Sequence, residues 1–120
     1  MPVCVKEFEK RKSVVVKVHV APEAAQDIAA IFEYLLEAEG LESAKKLVET
    51  LDATIRSLGS LPRRGKYPPE FQAEGITLFR EIQCYPWRIF YRAADEEVWV
   101  LAVLDGRRNI AQLLPERLVW

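Results

Sequence analysis

The sequence predicts an α+β domain in which a helical hairpin packs on a twisted, mainly antiparallel sheet, in the order β-α-α-β-β-β-α. Three observations carry that reading. Residues 76–109, ITLFREIQCYPWRIFYRAADEEVWVLAVLDGRRN, divide into three short runs rich in β-branched and aromatic residues, which suit a pleated, half-buried surface. Residues 22–58 carry two apolar stripes at helical spacing, separated by Gly40. A single valine-rich run, SVVVKVHV, precedes them. Two stripe-bearing helices need a sheet face to cover, and the strands supply it.

Taken in order, residues 1–12 mix charges and read as an N-terminal extension, and residues 13–120 as a single domain. The first strand spans residues 13–20, with Val14, Val16, Val18 and Val20 on one face and Val15, Lys17 and His19 on the other. Pro22 opens the first helix at a position where its missing N–H costs nothing, and Glu23 and Asp27 suit the positive end of the helix dipole. Ile28, Ile31, Phe32 and Leu35 form its buried stripe, and Gly40 ends it. The second helix covers residues 42–58, with Ala44, Leu47, Val48, Leu51, Ile55 and Leu58 recurring at three and four. Residues 61–75, LPRRGKYPPEFQAEG, are a loop, because three prolines and two glycines exclude regular structure. The three later strands cover 76–84, 87–93 and 98–105, broken at Tyr85-Pro86 and Ala94-Asp95-Glu96 and ended by Gly106. Alternation sends Trp87, Ile89 and Tyr91 one way, toward a core, and Arg88, Phe90 and Arg92 the other. Asn109 is placed to cap a last helix over residues 110–118, and Val119 and Trp120 end the chain as exposed apolar bulk.

A chain of 120 residues with half of them hydrophobic fits one globular domain. No apolar run approaches the ~20 residues of a membrane span, and the opening MPVCVKEFEKRKS has no signal-like apolar core, so a cytosolic location is expected. Cys4 and Cys84 read as free thiols in a reducing compartment. Two cysteines and one histidine, His19, argue against zinc, and the stretch around Gly65 lacks phosphate-loop spacing, so neither a metal nor a cofactor is expected. His19, mid-strand with no acid or cysteine near it in sequence, reads as a structural or surface residue.

Net charge is −1, yet the charge is uneven. Residues 21–52 are acidic, whereas residues 56–92 are rich in arginine and lysine. This permits a local basic surface without general affinity for polyanions. Its members are Arg63, Arg64 and Lys66 in the loop, Arg80, Arg88 and Arg92 in the strands, and Arg107 and Arg108 beside Asp105 after the last strand. Arginine is rarely buried without a partner, so the arginine-bearing sheet face should meet water, acidic groups or phosphate. Pairing of Arg88 or Arg92 with Asp95, Glu96, Glu97 or Asp105 would knit the meander together, and Arg107 and Arg108 could hold the last helix.

The helical hairpin PEAAQDIAAIFEYLLEAEG plus LESAKKLVETLDATIRSL, the link SLPRRGKYPPEF, and FREIQCYPWRIFYR followed by EVWVLAVLDGRRNIAQLL resemble, in that order, the RelE/ParE superfamily of toxins. The resemblance covers residues 14–118 and lies nearer the ParE side. It implies the toxic half of a type II toxin–antitoxin (plasmid stabilisation) module that binds and inhibits DNA gyrase. A cognate antitoxin, an arm of which lies over the sheet and helical groove, would neutralise it in a hetero-oligomeric complex. Arg63, Arg64, Lys66, Arg80, Arg88, Arg92, Asp105, Arg107 and Arg108 are then the candidate target or antitoxin contacts. The alternatives are a RelE-like, ribosome-dependent mRNA endonuclease and an inactive relative that serves as a binding module. In an endonuclease, Arg80, Arg88 and Arg107 or Arg108 would hold phosphate. The chain departs from the RelE-like pattern in its proton-transfer groups: no tyrosine or histidine follows Tyr91, and Asp105 stands where many relatives place histidine. Arginine is too weak an acid for that task, which leaves Glu81 or Asp105 as the only candidates for a base.

Overall fold

The structure is a computed structural model and describes residues 15–72 and 74–118. The expectations for the 1–12 extension, the Cys4 thiol, Val14 and the terminal Val119 and Trp120 lie outside the described residues. Among the described residues the elements are β1 (Lys17–Val20), α1 (Pro22–Glu39), α2 (Leu41–Arg56), β2 (Arg80–Cys84), β3 (Trp87–Ala93), β4 (Glu97–Asp105) and α3 (Ile110–Arg117). The order is the one the sequence predicts. The sheet runs β1-β4-β3-β2, with the β2–β3 and β3–β4 pairs antiparallel and β1–β4 parallel. No helix among the described residues is long and apolar enough to cross a membrane.

Several boundaries move, each for a local reason. Residues 76–79 are not strand; β2 begins at Arg80, where its pairing with Tyr91 begins. Residues 15 and 16 lie outside β1, whose pairing with β4 starts at Lys17. The helix expected to reach Leu58 ends at Arg56 and tightens into a 3-10 turn, Ser57–Gly59. The loop holds a second 3-10 turn at Pro69–Phe71, where Pro69 fixes the first residue's φ. Asn109 precedes α3 but does not cap it; its side-chain amide donates to Gln112 Oε1 at 3.1 Å instead.

The helical stripes fold as their spacing requires. Ile31 and Leu35 of α1 and Ala44, Leu51 and Ile55 of α2 are buried against Ile82, Ile89, Tyr91, Val98, Val100 and Val103 of the sheet. Gly40 links the two helices at a φ of 100°, a conformation that disfavours a side chain. The opposite sheet face has its own core, where α3 and the loop bring Ile110, Leu114, Leu118, Phe71 and Phe79 onto Phe90, Ala102 and Leu104. The sheet is therefore covered on both faces over its β2–β3–β4 half. Toward β1 the second face stays open, with Trp99 partly exposed and stacked on His19 at 4.5 Å between ring centroids.

Asp27 corrects the dipole reading. Strand β1 stops at Val20, so the outer edge of β4 has no strand beside it beyond Val100. Asp27 Oδ2 accepts there from the Val103 N–H at 2.9 Å and from Arg117 Nη2 at 2.7 Å. The carboxylate thus satisfies a strand-edge donor and clamps α3 to α1 across the sheet edge.

Candidate functional site

Strands β2 and β3 form a hairpin around Tyr85-Pro86, and its register sets the first part of the site. Cys84 faces Trp87, Gln83 faces Arg88 and Glu81 faces Phe90, so Glu81 lies diagonally from Arg88 on the same face. Arg88 Nε and Nη2 donate to the two Glu81 oxygens at 2.6 and 2.8 Å. Its Nη1 and Nη2 donate to the two Glu70 oxygens at 2.8 and 2.9 Å. The side chains of Arg88, Glu70 and Glu81 are 11%, 19% and 0% exposed. Its hydrogen bonds to Glu70 and then Glu81 push the Arg88 pKa further above its already high value. The Arg88 hydrogen bond holds the Glu70 carboxyl below the usual range. The acidic groups foreseen on this face are thus present, but they are Glu70 from the loop and Glu81 from the strand. The predicted partners of Arg88, Asp95, Glu96, Glu97 and Asp105, make no ion pair with it. One cation between two carboxylates leaves a group with net charge −1, which repels phosphate instead of holding it.

Arg80 serves the loop. Its Nη1 donates to the carbonyls of Gly65 at 2.8 Å and Arg63 at 3.3 Å, and its Nη2 to the Tyr67 hydroxyl at 3.0 Å, while its guanidinium lies over the Tyr67 ring. From the core, the buried Tyr91 hydroxyl accepts from the Gly65 N–H at 2.9 Å. Burial pushes the Tyr91 phenol pKa up, so Tyr91 is a structural anchor. Lys66 and Glu81 exchange backbone hydrogen bonds at 3.0 and 2.8 Å and extend the sheet by one bridge. Gly65 is required here by space: a Cβ would stand 2.6 Å from both the Glu81 carbonyl and the Tyr91 hydroxyl.

After β4, Asp105 accepts from the Arg107 backbone N–H at 2.9 Å and from its Nε and Nη2 at 3.0 and 2.8 Å. The hydrogen bond to Arg107 holds the Asp105 carboxyl low and reduces its strength as a base. Arg107 pairs with Asp105 instead of holding α3, the task that Arg117 performs. Arg108 is exposed, and its backbone N–H donates to the Asp105 carbonyl. Arg92 lies opposite Trp99 in the sheet register, away from the triad.

The structure therefore disperses the predicted basic set. Lys66, Arg88 and Arg107 line one small cavity of about 260 Å³ together with Glu81. Arg63 and Arg64 project from the loop, and Arg92 stands apart. A larger cleft of about 530 Å³ opens between helices α1 and α2 and the Tyr85-Pro86 turn. Leu35, Leu47 and Trp87 make its floor, and Tyr34, Tyr85, Lys46 and Arg107 its rim. Tyr34, Lys46 and the acidic member Glu70 were not anticipated as site residues. The Glu81–Arg88 diagonal was readable from a two-residue hairpin loop, whereas the approach of Glu70 and of the α1 and α2 faces is long-range and leaves no local pattern.

Comparison with known proteins agrees with this architecture. The family model described as the ParE toxin of the type II toxin–antitoxin system, parDE, matches residues 18–110. Toxin ParE3 of Caulobacter vibrioides is 28% identical over 91 residues, covering 76% of this chain and 87% of that protein. A solved structure described as the chromosomal ParDE TA system from P. aeruginosa superposes with a TM-score of 0.64 at 18% identity, covering 77% of this chain and 97% of that one.

Proposed function

The chain belongs to the ParE toxin family of type II toxin–antitoxin systems, and on that premise we propose that it is a cytoplasmic toxin that binds and inhibits DNA gyrase without catalysing a reaction. The observation that carries the non-enzymatic reading is the locked state of Arg88. Four of the five N–H donors of Arg88 are committed to Glu70 and Glu81, so its charge is already compensated and little of it is offered to a substrate phosphate. Glu81 accepts from Arg88 through both oxygens, and Asp105 is paired with Arg107. Proton transfer at a ribose hydroxyl needs a base free to approach it, and both carboxylates are occupied.

Neutralisation by a cognate antitoxin fits the cleft beside the hairpin. Its apolar floor and mixed-charge rim, with Lys46 and the Asp105-paired Arg107 beside Glu39, suit an amphipathic arm whose apolar side packs on Leu35, Leu47 and Trp87. The toxin would then reside in a hetero-oligomer with that antitoxin.

Supercoiling by purified DNA gyrase, with the toxin added alone and together with its antitoxin, tests this reading. Inhibition relieved by antitoxin is the expected result. In cells, thymidine incorporation should fall before amino-acid incorporation. Unimpaired supercoiling together with an early fall in protein synthesis would overturn the proposal in favour of messenger RNA cleavage.

A further inference from the structure

Resting on the gyrase reading, we infer that the turn at residues 61–66 is the target-contacting epitope, and that it fits an acidic protein surface with an apolar centre. The carrying observation is how firmly this irregular segment is held from below. Arg80 binds the carbonyls of Arg63 and Gly65, and the buried Tyr91 hydroxyl accepts from the Gly65 N–H. Lys66 is bridged to Glu81 on both sides of its peptide unit. The turn closes on itself through the Arg64 N–H and the Leu61 carbonyl at 3.2 Å. Arg64 Nη1 is tied to the Ser57 hydroxyl at 2.5 Å.

The side chains held by this mount are open to solvent. Leu61 is 62% exposed, and Arg63, Arg64 and Lys66 are exposed. Among the described residues, no carboxylate forms an ion pair with Arg63, Arg64 or Lys66. Leu61, Pro62 and the two arginines line an open, largely apolar hollow of about 400 Å³. Arg80 thus acts on the inner side of the turn, Lys66 borders the cavity of Glu81 and Arg88, and Arg63 and Arg64 line the outer hollow.

This combination favours a protein partner. A leucine and a proline between arginines give apolar area to bury, and arginine is enriched among residues that dominate binding energy at protein interfaces. A nucleic acid would be attracted by phosphate neutralisation, which a chain of net charge −1 supplies weakly. A rigidly held turn also loses little conformational freedom on docking, so its contacts appear as affinity.

The test uses the full chain carrying Leu61→Ser and Arg63→Glu, two exposed positions. The readouts are its melting temperature, its affinity for the cognate antitoxin, its inhibition of purified DNA gyrase and its binding to a fluorescent duplex DNA. The expected result is a tenfold or greater loss of gyrase inhibition, with melting unchanged and antitoxin affinity within twofold. Gyrase inhibition within twofold of the parent overturns the epitope while leaving the gyrase reading intact. Loss of antitoxin affinity with gyrase inhibition retained assigns the turn to the antitoxin and also overturns it. DNA binding by the parent that the variant abolishes would make phosphate the ligand and refute the protein partner. If the parent itself fails to inhibit gyrase, the underlying reading fails, and the epitope with it.

Discussion

Replacing Arg88 by methionine separates a structural arginine from a target-binding one. The guanidinium donates four hydrogen bonds to two carboxylates, and the Glu81 side chain has no solvent exposure. Arg88→Met keeps much of the side chain's apolar volume but leaves both oxygens of the buried Glu81 without their Arg88 donors. Removing one partner of a buried ion pair costs about 3–5 kcal/mol, because the remaining charge is uncompensated. For a domain of about 100 residues, each kcal/mol is worth about 4 °C, so the melting temperature should fall by about 12–20 °C. Thermal and urea denaturation followed by circular dichroism give both quantities. A paired variant, Glu81→Leu with Arg88→Met, removes the stranded charge and should recover roughly half of the loss, since apolar replacement of a buried pair is often neutral. A loss below about 1 kcal/mol for Arg88→Met, as for an exposed ion pair, would refute the reasoning. So would a double variant no more stable than Arg88→Met alone.

Gly65→Ala would place a methyl 2.6 Å from the Glu81 carbonyl and the Tyr91 hydroxyl, and should cost about 1–3 kcal/mol as an overpacked buried position, measured by urea denaturation. The Glu70 carboxyl, lowered by its hydrogen bond to Arg88, makes stability pH-dependent. The unfolded chain takes up this proton first, so the stabilisation is complete above about 4.5 and fades as pH falls through the lower folded value. The stability difference between the parent and Glu70→Gln should therefore narrow from pH 6 to pH 3, and a constant difference would contradict the assignment. Asp27→Ala leaves the Val103 N–H and Arg117 without their acceptor and should cost about 1–3 kcal/mol, with faster amide exchange in α3.

Much of the fold was legible because it rests on local periodicity. The α1 and α2 stripes and the inward run Ile89 and Tyr91 needed only spacing to be placed. The parallel β1–β4 pair, by contrast, joins strands at opposite ends of the chain order and leaves no local pattern. The second core likewise depends on Phe71 and Phe79 from a stretch without any period folding under the sheet to meet α3. The candidate site was legible in composition and not in role. A strand pattern shows which face Arg88 occupies, but not that a loop glutamate 18 positions away will close over it. Asp27 finds the Val103 N–H across 76 positions, and its place in the first helical turns offers an adequate alternative explanation.

Both edges of this sheet are interrupted by the chain's own non-strand segments. At one end Lys66 occupies the free side of β2 at Glu81. At the other, Gly59 accepts from the Val16 N–H beside β1, and Asp27 takes the Val103 N–H where β1 falls short. Exposed strand edges are templates on which other chains assemble. These three contacts leave shorter runs of free strand edge for a second copy to pair with. Loosening any one of them should show first as turbidity on concentration, before any loss of helix or sheet signal.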